Sequence, residues 1–214
     1  MPKKRAVFYF DGFNLYHALG ALRQQHLKWL SLHDLGNLLI PSRDEELRSV
    51  VYFSAYLTHK PEKLVRHRAY VAALEATGVE CILGRFKYSD VRCRNCGSQW
   101  RSYEEKETDV NIGIRIVRDA FCDVFDVYYL VSADTDLAPA IRLLKKEFPQ
   151  KEFVSVATPR RPHSSEFLRL ADRTLKITEN ALAKCRLPAE LASKEGKVIV
   201  RPPQYDPPVD AGRR

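Results

Sequence analysis

The sequence predicts an α/β fold: a three-layer sandwich with a parallel sheet between two layers of helices. Three observations carry that expectation. Short, continuous apolar segments alternate with segments of helical spacing, the rhythm of repeated strand–helix units. The strand-like segments stay apolar throughout instead of alternating with polar residues, as strands buried on both faces do. A chain of 214 residues, 45% of them hydrophobic, can also bury a sizeable core in one domain without disulfide or metal staples.

The elements follow in order. Arg5–Asp11 (RAVFYFD) reads as a buried strand and Leu15–Gln25 as a helix. Ser31–Leu39 is a second helix with Ser31 as its cap, and Ser49–Leu57, rich in β-branched and aromatic residues, is strand two. Pro61–Thr77 is helical, with proline in its first turn and Gly78 just beyond its end. Val79–Tyr88 is strand three, Asp109–Phe121 a helix, Val124–Ser132 strand four, Leu137–Phe148 a helix and Phe153–Ala157 strand five. Ser165–Lys184 holds one or two helices. Two segments break the rhythm. Residues 89–106 are polar and basic and read as a loop insertion. Residues 186–214 carry five of the twelve prolines and read as an extended or disordered tail, so the folded domain is expected over 1–185.

Composition excludes several classes. Apolar content is too high for a disordered chain. No apolar run approaches the roughly 20 residues that span a bilayer, and Asp11 and Asn14 interrupt any signal-peptide core. Five cysteines, an odd number, do not suit a disulfide framework. The expectation is a cytoplasmic protein with no membrane partner. Thirty-five Lys and Arg against 27 Asp and Glu leave a net charge of +8, which favours polyanionic partners or a solvated basic surface.

In open parallel sheets ligands bind beyond the carboxyl ends of the strands, at a switch in strand order. Strand one ends Asp11-Gly12-Phe13-Asn14, and strand four ends Ser132-Ala133-Asp134-Thr135-Asp136. Asp109 opens the helix leading into strand four, on the stripe Gly113, Ile116, Ala120 that suits contact with the sheet. Taken alone, Asp11 before glycine could be a turn former, Asp134 or Thr135 an N-cap, and Asp136 and Asp109 first-turn acids favoured by the helix dipole. Together at one edge they repel one another, and a divalent cation relieves that repulsion. Hard oxygen donors suit Mg²⁺ or Mn²⁺, and no adjacent His favours zinc there.

The segments Phe10–Asn14, Glu107–Val110 and Ser132–Leu137 resemble the three signatures of NYN domains in the PIN-like nuclease superfamily, with the LabA-like branch the most similar. The resemblance covers about residues 5–180 and implies strand order 3-2-1-4-5. It also implies a Mg²⁺- or Mn²⁺-dependent ribonuclease, expected to act as an endonuclease on single-stranded RNA. Asp11, Asp109, Asp134 and Asp136 would then be the catalytic and metal-ligating acids, supported by Asn14 and Ser132. The other reading is a nucleic-acid-binding or regulatory module without turnover. A dehalogenase-like phosphatase would need an acid where Phe13 stands.

Substrate contacts are expected from Thr135 at a helix start, Lys106 one turn before Asp109, Arg85 in the basic region around the insertion, and Arg160 and Arg161 after strand five. Arginines interleaved with Tyr88, Trp100 and Tyr103 suit a single strand, with phosphates paired and bases stacked. Cys93-Arg94-Asn95-Cys96-Gly97 has the shape of a zinc knuckle. Structural zinc takes four ligands, so zinc here needs a homodimer or a histidine brought in by the fold. The alternative is a redox or vestigial pair, its thiolates favoured by Arg92 and Arg94.

Overall fold

A computed structural model describes residues 2–208. Its main sheet has seven strands in the order β4-β3-β2-β1-β5-β6-β7. These are β1 (Lys4–Asp11), β2 (Glu45–Ala55), β3 (Glu80–Arg92), β4 (Gln99–Lys106), β5 (Val127–Val131), β6 (Glu152–Ala157) and β7 (Arg173–Lys176). All neighbours are parallel except β3 and β4. The expected 3-2-1-4-5 core is present, extended by one strand at each edge.

Alternate side chains of β1 feed two cores, which is why its sequence runs apolar without a break. Ala6, Phe8 and Phe10 pack under α1 (Gly12–Ala21), α2 (Leu32–Leu39), α3 (Pro61–Ala76) and α7 (Glu179–Lys184). Val7 and Tyr9 pack under α4 (Thr108–Phe121), α5 (Ala138–Glu147) and α6 (Ser165–Leu170). The three-layer sandwich follows directly. In the second core Tyr9 donates to Asp119 Oδ2 at 2.9 Å, and Arg115 Nε closes on the same oxygen at 2.7 Å. A buried carboxylate is tolerated there because both partners point at it.

Three expectations need correction. The insertion is not a loop: β3 continues to Arg92, and β4 returns antiparallel in register from Arg85↔Lys106 to Arg92↔Gln99. Its polar composition reflects exposure of both faces at the tip, not absence of strand. An aromatic ladder anchors the hairpin base, with His59 stacked on Tyr103 at 3.8 Å and Phe86 edge-on to Phe13 at 5.9 Å. The segment read as one or two helices holds α6, the edge strand β7 and α7, because Arg173–Lys176 pairs with β6. Finally, residues 186–208 fold back on the domain. They form the small hairpin β8 (Glu190–Ala192) and β9 (Val198–Val200), and Leu187, Ile199 and Tyr205 bury against Trp29 and Ala73. Trp29 Nε1 donates to the Pro188 carbonyl at 2.7 Å. Residues 209–214 of the expected tail lie outside the described residues. No described helix is long and apolar enough to cross a membrane.

Candidate active site

β1 and β5 lie side by side, Phe10 opposite Val131, and the chain leaves them toward helices on opposite faces of the sheet. That divergence opens a cleft of about 230 Å³, lined by Asp11, Phe13, Asn14, His17, Glu105, Thr108, Asp109, Asp134 and Arg161. Four carboxylates and one arginine therefore meet at the carboxyl edge of the sheet.

Local rules place each group. Asp11 is the N-cap of α1, its Oδ1 accepting from Asn14 N at 2.9 Å. Its Oδ2 accepts from the Ser132 hydroxyl at 2.8 Å, and Ser132 Oγ in turn accepts from Asp134 N at 3.0 Å. Asp134 caps the single 3-10 turn Thr135–Leu137 through Asp136 N, also at 3.0 Å. Capping and cleft-lining thus coincide in Asp11 and Asp134. Gly12 is required by close approach: a Cβ there would stand 2.5 Å from the Phe53 carbonyl and 2.6 Å from the Tyr52 ring. Glu107 adopts a left-handed conformation (φ 81°) at the start of α4 and offers no side-chain cap. Glu105 supplies it from the end of β4, its Oε1 accepting from Thr108 N at 3.1 Å and from the Thr108 hydroxyl.

The electrostatics report crowding. Burial pushes the Asp11 carboxyl above its ordinary range, against the opposing pull of the Asn14 and Ser132 hydrogen bonds. Asp109 is pushed up to about 6, first by burial and then by the charges of Asp134, Asp11, Glu105 and Asp136. No cation pairs with Asp109 among the described residues. The oxygen donors suit a hard divalent ion, and Asn14 Oδ1 is buried without a hydrogen-bond partner. Among the described residues no three His, Cys, Asp or Glu side chains already form a metal cage.

The remaining expected residues divide. Asp136 is exposed outside the cleft wall yet contributes its charge to Asp109, and Ser132 stands behind Asp11 as its support. Arg161 lines the cleft, whereas Arg160 turns to Glu179 at 2.9 Å. Arg85 pairs with Glu107 at 2.7 Å and Lys106 with Glu104 at 2.8 Å, both outside the lining, and Thr135 is exposed. The strand geometry of β4 explains Lys106: it is not on the turn of α4 that carries Asp109. Sequence reading missed Glu105, His17 and Thr108. A single residue, Lys106, separates Glu105 from the family-like Glu107–Val110 signature, a signal hidden by reading residues 89–106 as a loop.

The Cys93–Cys96 pair occupies the hairpin tip, where Cys93 N donates to the Ser98 carbonyl and Gly97 N to that of Cys93. The Cys96 thiol is lowered to about 7, by hydrogen bonds from Ser98 and Cys93 and not by the neighbouring arginines. No third His, Cys or acidic ligand joins the pair among the described residues.

Beyond Gly12 and Phe13 a second, largely apolar cavity of about 230 Å³ opens between α1, α3 and β2. His17 and Phe13 belong to the walls of both.

The NYN domain family profile matches residues 5–178, and the chain belongs to that family. A curated relative, 6-hydroxy-3-succinoylpyridine 3-monooxygenase of Pseudomonas putida, is 24% identical over 94% of this chain and 75% of its own length. A solved protein of unknown function from Vibrio parahaemolyticus superposes with TM-score 0.55 at 20% identity, over 83% of this chain and 95% of that one, which likens the folds.

Proposed function

We propose that this NYN-domain chain hydrolyses phosphodiester bonds of single-stranded RNA at the cleft between β1 and β5, as a Mg²⁺- or Mn²⁺-dependent endonuclease of the cell interior. The observation that carries the reading is the convergence of Asp11, Glu105, Asp109 and Asp134 around one cleft with Arg161 on its rim. A pure binder gains nothing from four acids where RNA phosphates must pass.

Asp11, Asp109 and Asp134 would hold the cation, with Asp136 nearby and Glu105 as a further oxygen donor. The ion supplies an activated water and charge neutralisation at the phosphate. The chain's own residues do the positioning. Ser132 donates to Asp11 Oδ2 and accepts from Asp134 N, which ties Asp11 to the turn that carries Asp134. Asn14 lines the cleft, and its buried Oδ1 has no hydrogen-bond partner. Arg161 is the cationic group on the cleft that can hold a non-bridging phosphate oxygen.

The test is cleavage of end-labelled single-stranded RNA with Mn²⁺ or Mg²⁺, wild type against Asp11→Asn. Loss of cleavage in the variant is expected. Equal cleavage by both would assign the activity to a contaminant and end the proposal.

The neighbouring cavity favours a second reading. Its aromatic walls beside the acids would suit a heteroaromatic acid, such as the substrate in the monooxygenase relative's name. Incubation with 6-hydroxy-3-succinoylpyridine, oxygen and an electron donor, followed by mass spectrometry, tests it. Product carrying an added oxygen atom would replace the nuclease reading.

A further inference from the structure

We propose that the aromatic cavity beside the acidic cleft is a nucleobase subsite. It would take the flat ring of one nucleotide of the substrate strand, while basic side chains at its mouth hold the adjoining phosphate. This rests on the phosphodiester reading of the cleft and adds the group that recognises the strand.

The walls have the right chemistry. Tyr52, 4% exposed, stands on β2, with Tyr70 edge-on to it at 5.9 Å and His67 edge-on at 6.5 Å. Single-stranded nucleic acids are held by bases stacked or packed on aromatic side chains, because every base has a π-face. A cavity of about 230 Å³ lies below the roughly 300–1,000 Å³ that encloses a drug-sized ligand, so it suits one ring system.

A polar handle waits inside. His67 Nε2 is buried with no hydrogen-bond partner, a condition that costs free energy unless something supplies one. Burial lowers the His67 pKa to about 4, so the ring is neutral and offers a donor or acceptor to the edge of a base.

The mouth is cationic. Lys60, just before α3, and Lys63 and Arg66 in its N-terminal half line it, and none makes an ion pair among the described residues. Lys28, 8% exposed, lies 4.1 Å above the Tyr16 ring on the opposite side. An anionic backbone crossing this rim meets free positive charge.

Position is the last argument. Phe13 and His17 border both this cavity and the acidic cleft, and the missing Cβ of Gly12 lets β2 approach at their junction. A base in the cavity would leave its own strand running toward the carboxylates, so recognition and hydrolysis would act on neighbouring parts of one molecule.

The test is fluorescence anisotropy with a labelled short oligouridylate and an abasic strand of equal length, in EDTA so that nothing is cut. Wild type should bind the oligouridylate about tenfold or more tighter than the abasic strand. Leu57→Trp, which plugs the mouth, should bind both equally weakly. His67→Leu keeps the volume and should lose part of the preference, which serves if the plugged variant does not fold. Equal binding of the two strands by wild type overturns the subsite, even if cleavage at the carboxylates holds. Preference retained in both variants overturns it too. Saturable binding of 6-hydroxynicotinate that Leu57→Trp abolishes, without competition by the oligouridylate, overturns it in favour of a small-molecule site. Base preference with no cleavage under any metal supports the subsite and refutes only the hydrolytic reading.

Discussion

Asp109→Asn should make the metal-free protein more stable at neutral pH. Asp109 titrates near 6 in the fold against an ordinary 3.8, with burial and four neighbouring acids as the causes. A folded-state value above the unfolded one means the fold favours the protonated acid. That contribution is present at low pH and is lost as the pH rises through 6. At 1.36 kcal/mol per pH unit the loss is about 3 kcal/mol at full strength. Asp109 is only half-buried, so solvent screening reduces this to about 1–2 kcal/mol. Removing an acid from the first turn of α4 gives back about 0.5 kcal/mol of helix-dipole attraction. The net gain for the variant is about 1 kcal/mol above pH 7, or roughly 2–4 °C in Tm for a chain of this size. Urea unfolding in EDTA at several pH values between 4 and 8 measures it, and the gain should vanish near pH 4. With Mn²⁺ the order should reverse, because a ligand at 100 times its Kd stabilises the wild type by about 2.7 kcal/mol and the variant less. A variant less stable than wild type at pH 8 without metal, or a gain independent of pH, would refute the crowded-carboxylate account.

Four further outcomes are expected. Asp134→Asn should lower RNA cleavage at least about 100-fold in a labelled-strand assay while the circular dichroism spectrum stays native, since it removes one of the carboxylates that would hold the charge-neutralising cation. Asp119→Ala should cost about 2 kcal/mol in urea unfolding, because it leaves the buried Tyr9 hydroxyl and Arg115 Nε without their acceptor while Glu80 still holds the other Arg115 nitrogens; a loss below about 0.5 kcal/mol would show the pair to be dispensable. Replacing 91–100 with a two-residue Asn-Gly turn should leave Tm nearly unchanged yet weaken RNA binding about tenfold, about 1.4 kcal/mol, in filter binding; unchanged affinity would make the hairpin tip a connector. RNA affinity should fall with salt at a log–log slope near −0.7 per phosphate neutralised, and a flat response would reduce the net charge to surface solvation.

The strand–helix alternation, both apolar faces of β1 and the carboxyl-edge placement of Asp11, Asp109 and Asp134 were legible in the sequence, because burial on two faces leaves unbroken apolar runs and short connections leave no freedom about which edge follows a strand. The Ser31 cap was legible for the same local reason, its hydroxyl accepting from the amide three residues on, whereas Asp11, which reads as a turn former before Gly12, is the cap of α1. Edge strands carry no such mark. Residues 99–106 are polar because both faces of a hairpin tip meet water, and Arg173–Lys176 is too short to show a period, so only pairing with β3 and β6 reveals them as strands.

By itself the sequence determined the fold class, the core strand order through its family signatures, and which acids would gather. Tertiary structure alone decided what completes the cleft. Glu105 reaches it only because β4 runs antiparallel back to the start of α4, and Arg161 rather than Arg160 because Arg160 finds Glu179. Likewise, a chain end rich in proline packs Tyr205 near Trp29 and into the wall of the aromatic cavity. These are contacts between residues distant in sequence, whose partners no local pattern names; they exist because the fold leaves apolar and charged surface there that only those segments can reach.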